Sequence, residues 1–292
     1  MSRAVFLCWL LLLLTFFSEK TSLMAAESCT FSRRPSAVGD ITNQTVKCDL
    51  QLEMAIRQGN QVVEAKQQEI QRSQNRKIKV VSVGKTAPQK AIVTYVSSSI
   101  QVKQQKGQQP TSAKQPVAGK SYYVTRVGKD LIITDLQGKT PPEEERLIVA
   151  SNLDAFGLPN PIAKFFNGKT IHVGDTIQLP IELAKELLGF DDTVGDISDL
   201  SMRMIAIKRS GKTNAAVFET KLIAKTGNAS TMNLNLNGQL AIEIDTCRTI
   251  AVNLTGPVST EEEHGPENGK FSVTSDGRLN VAVRANYQNA KR

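Results

Sequence analysis

"TVKCDLQLEMAIR", residues 45–57, alternates with a period of two. Val46, Cys48, Leu50, Leu52, Met54 and Ile56 fall on one side. Lys47, Asp49, Gln51, Glu53 and Arg57 fall on the other, and Ala55 alone is neutral. This is the pattern of a strand with one face against apolar material and one face in water. The apolar side is either an ordinary core or the wall of a ligand cavity.

Working outward, the same signature recurs. The segment "QVVEAKQQEIQRSQNRK" at 61–77 has few apolar positions and many helix formers. It runs without a break into the alternating "KIKVVSV", which favours one long solvated strand over a helix. "QKAIVTYVSSSIQVK" is rich in β-branched and aromatic residues, and "SYYVTRV" with "DLIITDL" reads as a hairpin. Residues 27–44 are polar and aperiodic, a flexible tail. Residues 103–118 ("KQQKGQQPTSAKQPVA") are low in complexity and read as a flexible loop.

The period changes at 141–190. "TPPEEERLIVASNLDAFGLP" places Thr140 as N-cap, prolines at the first two helical positions and Glu143 in the capping-box position. "NPIAKFFNG" and "PIELAKELLGF" each carry proline near the start and glycine at the end. Between these two lies "KTIHVGDTIQLP", one or two short strands around Gly174-Asp175. Strands resume over 198–288. Expected hairpins turn at Ser210-Gly211, Asn237-Gly238 and Asp276-Gly277, the last two on the strongest short hairpin signal. "STEEEHGPENG" reads as an acidic loop. The expected fold is mainly β (α+β), a large curved antiparallel sheet or half-barrel carrying about three helices. Its single β-rich domain spans 45–288, with strands over 45–137 and 198–288 around the helical insertion.

The first 26 residues have the three-part plan of a secretory signal: Arg3, the apolar run from Ala4 to Phe17, then a polar stretch ending in "SLMAA". That run of fourteen is short for a membrane span of roughly 20 residues. The expectation is cleavage after Ala25 or Ala26, export to the periplasm or medium, loss of Trp9, and no integral span in the mature chain. Residues 27–140 then carry +10 and residues 141–292 carry −3. A basic half attracts polyanions, which for an exported protein means an anionic envelope component rather than nucleic acid; outward lysines that keep long sheets soluble give the same balance. Cys29, Cys48 and Cys247 survive cleavage. Export permits one bridge among them without choosing its members. The "AES" before Cys29 is a poor lipidation signal. Asn43, Asn228 and Asn253 open glycosylation sequons in a eukaryotic host. Oligomeric state is left open.

Catalytic and metal signatures are missing. Gly-Lys-Thr occurs at 84–86, 138–140, 168–170 and 211–213, but a phosphate loop needs glycine where Lys79, Ile133, Ala163 and Ala206 stand. His172 and His264 are the only histidines, and neither has a partner at zinc spacing. Asp191, Asp192, Asp196 and Asp199 lack the alternation of a calcium loop. We expect no catalytic residue, no metal, no cofactor and no enzyme.

The order of signal, long alternating strands, central helices and more strands, with "GKTIHVGDTIQLP" and "NGQLAIEID", resembles exported bacterial β-rich envelope proteins of unknown function with a lipoprotein-carrier-type curved sheet. The resemblance implies an apolar concave face with helices packed across it as a lid, and a carrier or sensor of an apolar or acyl ligand. Val46, Leu50, Leu52, Met54 and Ile56 would then line the cavity, closed by Leu147, Phe156, Phe165 and Phe166. The competing reading is a structural or adaptor protein of the cell envelope, in which the same residues are simply core.

Overall fold

The computed structural model describes residues 27–59, 61–104, 109, 111–188, 196–210, 213–225, 230–265 and 270–290. Residues 1–26, expected as a signal, and Asp191 and Asp192 lie outside the described residues. In chain order the elements are β1 (Ser28–Thr30), β2 (Ile41–Gln58), β3 (Gln61–Val83), β4 (Pro88–Lys103), β5 (Thr111–Lys114), β6 (Ser121–Val127) and β7 (Asp130–Asp135). Helix α1 (Glu143–Asn152), α2 (Pro161–Phe166), β8 (Thr170–His172), β9 (Thr176–Gln178) and α3 (Ile181–Leu188) follow. Then come β10 (Asp196–Ser210), β11 (Thr213–Lys225), β12 (Ser230–Glu243), β13 (Thr249–His264) and β14 (Phe271–Gln288).

The fold is mainly β. One antiparallel sheet runs β7-β6-β4-β3-β2-β14-β13-β12-β11-β10-β9, with β5 added to β4. Its outer strands do not meet, so the sheet is not closed into a barrel. The polar β3 is a strand because β2 pairs it from Gln61 to Lys79 and β4 pairs it from Glu69 onward. Ladder hydrogen bonds on both sides outweigh its helix-forming composition.

Directly paired residues share a face, which places two apolar clusters on the same side of the sheet. Val93, Tyr95, Tyr122, Val124 and Ile133 pack under Val149 of α1 and Leu153 just beyond its end, at one end of the sheet. At the other, strands β10 to β13 pack under Ile162, Ala163 and Phe166 of α2 and Ala184 of α3. Leu50, Leu52 and Leu279 extend that second cluster toward the middle.

Five expectations need correction. The polar tail is docked: β1 pairs β8, and Phe31, 1% exposed, sits 4.8 Å from the Phe166 ring. One aromatic is too short a signal for periodicity to detect. Within 103–118, β5 pairs Ser99–Val102 and Val117 is fully buried. The first helix starts at Glu143 without a side-chain cap, and Pro142 has an extended ψ of 147°. Pro142 also bars Pro141 from helical geometry. The acidic residues Glu261–Glu263 are not loop but strand, paired to Ser272–Thr274.

The fifth concerns the two glycine turns. β12 and β14 run straight through Asn237-Gly238 and Asp276-Gly277. A Cβ on Gly238 would lie 1.9 Å from the Asn253 carbonyl oxygen, and one on Gly277 would lie 1.9 Å from that of Gln51. Gly256 of β13 makes the same approach to Asn235. These positions need glycine for close backbone approach in a strongly coiled sheet, not for a turn. They form a diagonal: Gly238 pairs Leu254, two residues from Gly256, and Gly256 pairs Leu279, two residues from Gly277.

Candidate functional site

The alternation of residues 45–57 is preserved in the register. Across β14, Val46 faces Val283, Cys48 faces Val281, Leu50 faces Leu279, and Ile56 faces Val273. Leu52 and Met54 face the small Gly277 and Ser275. Across β3 the partners are Gln74, Arg72, Ile70, Gln68, Lys66 and Glu64. The strip thus has an apolar bank on β14 and a polar bank on β3. All six apolar residues of β2 are half-buried, as are Val273, Leu279, Val281 and Val283. From Cys48 to Ile56 the strip runs about 26 Å at about 3.3 Å per residue.

The helices do not close over this strip as one lid. Phe166 is a core residue, fully buried among Phe31 and Phe218. Phe165, half-buried, meets Phe166 edge to face, with ring centroids 5.1 Å apart. Phe156 packs with the α1 cluster at the far end, and Leu147 points to solvent, 54% exposed. Of the nine candidate residues, the five from β2 form one surface, and the four from the helical region divide among two clusters and solvent. An open groove of about 480 Å³ lies against Gln51, Glu53, Gln67, Glu69 and Arg278 of the polar face, and of the nine candidates only Leu52 contributes to its lining.

Sequence reasoning missed the polar bank. Arg72 Nη2 donates to Asn152 Oδ1 at 2.9 Å, and Arg76 Nη1 donates to the Asn152 carbonyl at 2.9 Å. Arg76 Nε donates to Gln44 Oε1 at 2.8 Å, and Asn152 Nδ2 donates to the Tyr95 hydroxyl at 3.2 Å. Asn152 ends α1, so Arg76 satisfies one of the carbonyls a helix leaves open. Beside them Gln74, 2% exposed, donates to Ser98 Oγ at 3.0 Å and Gln115 Oε1 at 3.2 Å. Burial is the main influence lowering the pKa of Arg76; Tyr95 opposes it and the like charge of Arg72 adds to it. The available signal was parity: Arg72, Gln74 and Arg76 occupy the inward phase of a strand whose Ile70 and Ile78 are apolar.

Among the described residues, Cys29, Cys48 and Cys247 are free thiols. Cys247 takes a φ of 52° in the turn between β12 and β13 and donates its thiol to the Ser32 carbonyl at 3.2 Å. Burial pushes its pKa up to about 11. Cys48 on the strip is also raised, by burial and then by Asp49, with Arg72 opposing. Among the described residues, no three His, Cys, Asp or Glu side chains gather as a metal site. No described helix is long and apolar enough to cross a membrane.

No protein-family model and no curated protein sequence matches the chain. Among solved structures it is similar to lipovitellin, in a study of lipid–protein interactions, at 9% identity and a TM-score of 0.38 over 89% of this chain. The chain spans about a quarter of lipovitellin, 26% of that chain. A LolA-superfamily protein of Nitrosomonas europaea follows at 6% identity and a TM-score of 0.16, over 84% of this chain and 87% of that one. MucB in complex with MucA(peri) is similar at 8% identity and a TM-score of 0.11, over 82% and 87%. All three likenesses are weak.

Proposed function

We propose that the protein is an exported, non-enzymatic carrier or sensor of an apolar ligand, which lies along the β2–β14 strip. The observation that supports this is the half-exposed apolar face between the two packed clusters. Single exposed apolar side chains are ordinary, whereas a contiguous apolar patch on a folded surface marks a binding site. A strip about 26 Å long at strand spacing is longer than one acyl leaflet, about half of a ~30 Å hydrocarbon core. An extended acyl chain fits it better than a compact ligand.

The packing of Leu50 and Leu52 against the second cluster favours a second reading, in which the strip only anchors an envelope partner protein. The two readings separate in a titration with methyl cis-parinarate, an uncharged polyene whose fluorescence rises in apolar surroundings. Saturable binding that Met54→Ala weakens, with little change in thermal melting, supports the carrier. Absence of saturable binding to the wild-type protein overturns it.

A further inference from the structure

The polar face of the sheet, opposite the strip, divides by charge. The groove against Gln51 and Glu53 is lined by acids as well as bases, Glu69 and Asp276 among them. Farther along the same strands, Lys47 of β2, Lys77 and Lys79 of β3 and Arg284 of β14 form an exposed basic band. No residue directly paired with any of these four is charged. Asp49, two residues past Lys47 on the same face, bounds the band on one side. Within the band lies another open groove, of about 400 Å³, whose lining includes Asn43, Thr45, Asn75, Val96, Arg284 and Asn286 and no carboxylate. Thr45 Oγ1 donates to Asn75 Oδ1, and Asn75 Nδ2 donates to Ser97 Oγ, both at 2.8 Å. Asn43 and Asn286 pair across β2 and β14, and both are exposed, so their amides are open to a ligand. Lys77 pairs directly with Asn43, and Lys47 follows Thr45 by two residues, so both stand at the rim.

Clustered cations with neutral neighbours attract polyanions. Outward lysines that only keep a sheet soluble need no groove between them. The lining selects among polyanions. A flat bilayer does not follow a groove floored by short side chains, and Val96 is the only large apolar residue in the lining to insert into lipid. No aromatic ring lines the groove for stacking bases. Amides both donate and accept, which suits sugar hydroxyls, and the cations suit carboxylates. We infer that this groove binds an acidic polysaccharide, with its carboxylates against Lys47, Lys77, Lys79 and Arg284 and its hydroxyls against Asn43 and Asn286. Such a site tethers the protein to an anionic polymer and leaves the apolar strip on the other face free. It is independent of the carrier reading, and the failure of either leaves the other standing.

The test is calorimetric titration with a short oligogalacturonate at about 50 mM and about 150 mM salt. We expect saturable binding that weakens as salt rises. Lys47→Gln, Lys77→Gln and Arg284→Gln together should weaken it about tenfold or more, the combined scale of three exposed ion pairs. Lys129→Gln, Lys139→Gln and Lys221→Gln remove the same charge from exposed positions elsewhere and should change it less than about twofold. Asn43→Ala with Asn286→Ala should weaken binding severalfold and leave its salt dependence unchanged, because no charge is removed. Thermal melting checks that each variant folds. Equal losses from the two charge-removing sets reduce the effect to net charge and overturn the site, as does absence of saturable binding. Wild-type affinity in the asparagine variant overturns the groove. Tighter binding of phosphatidylglycerol vesicles or of single-stranded DNA in the same salt overturns the polysaccharide.

Discussion

Replacing Gly277 with alanine tests the continuity of β14, on which the strip depends. The added Cβ would sit 1.9 Å from the Gln51 carbonyl oxygen, 2.9 Å from the Gln51 carbonyl carbon and 2.9 Å from Leu52 Cδ2. Ordinary contact begins near 3.4 Å, so β2 and β14 must part by about 1.5 Å locally. A hydrogen bond of about 2.9 Å does not survive that displacement. Two ladder bonds at about 1 kcal/mol each and lost packing of Leu52 at about 1 kcal/mol oppose a gain of about 0.5–1 kcal/mol from removing glycine flexibility. The net loss is about 2–2.5 kcal/mol, read by urea unfolding followed by far-ultraviolet circular dichroism. Gly84→Ala is the control, because its Cβ would meet only ordinary contacts, 3.5 Å from the Ala87 carbonyl; it should stay within about 0.5 kcal/mol. Gly277→Asn separates the two conceivable roles of the site. Asparagine is accepted in the left-handed turn that Asp-Gly suggests, but in a close approach it does at least as much damage as alanine. Near-native stability of Gly277→Asn would refute the continuous strand.

Three further outcomes follow from the structure. Leu52→Asp should cost about 2–3 kcal/mol, because its charge would face the second apolar cluster, while Glu53→Leu on the solvated face should change stability by less than about 0.5 kcal/mol; equal thermal melting losses would refute the strand phase. Glu145 is buried and accepts from Lys120 Nζ and the Tyr122 hydroxyl, both at 2.6 Å. Burial raises its pKa, but these partners outweigh it and the net shift is downward from 4.5. A lowered carboxylate stabilises the fold above its ordinary value and loses that contribution as pH falls through the lowered one. Glu145→Gln should therefore melt below wild type at neutral pH, with the gap closing in acid; a pH-independent gap would refute the coupling. Cys247, with its pKa near 11, should resist iodoacetamide at about pH 8 in the native protein and react after unfolding, since the thiolate is the nucleophile; prompt native labelling, mapped by mass spectrometry, would refute its burial.

Much of the sheet was legible because strand alternation is a local property with an unmistakable period. Residues 45–57 show it most plainly, and the register keeps every apolar residue of that stretch on one face. Parity also held information that the glycine signal obscured. Leu234, Leu236, Leu240 and Ile242 keep one even phase through Gly238, and Val273, Leu279, Val281 and Val283 keep one odd phase through Gly277. A two-residue turn at 237–238 would have set Leu236 opposite Gln239, and one at 276–277 would have set Val273 opposite Asn280. The unbroken phase favours straight strands over the Asn-Gly and Asp-Gly turn chemistry.

What the chain by itself determined was thus which residues share a face, since that depends only on a two-residue period. Which faces are covered was decided by tertiary structure. Phe156, Phe165 and Phe166 look alike in sequence as lid residues. Yet α1 packs at one end of the sheet and α2 with α3 at the other, because their positions depend on pairings between strands far apart in the chain. Phe31 is buried only because β1 pairs with β8, 140 residues away between Thr30 and Thr170. Arg72 and Arg76 meet at Asn152 for the same reason: a helix 76 residues downstream of Arg76 ends over their strand. Contacts of that range leave no periodic trace in the sequence, and the charged bank of the apolar strip exists only in the folded molecule.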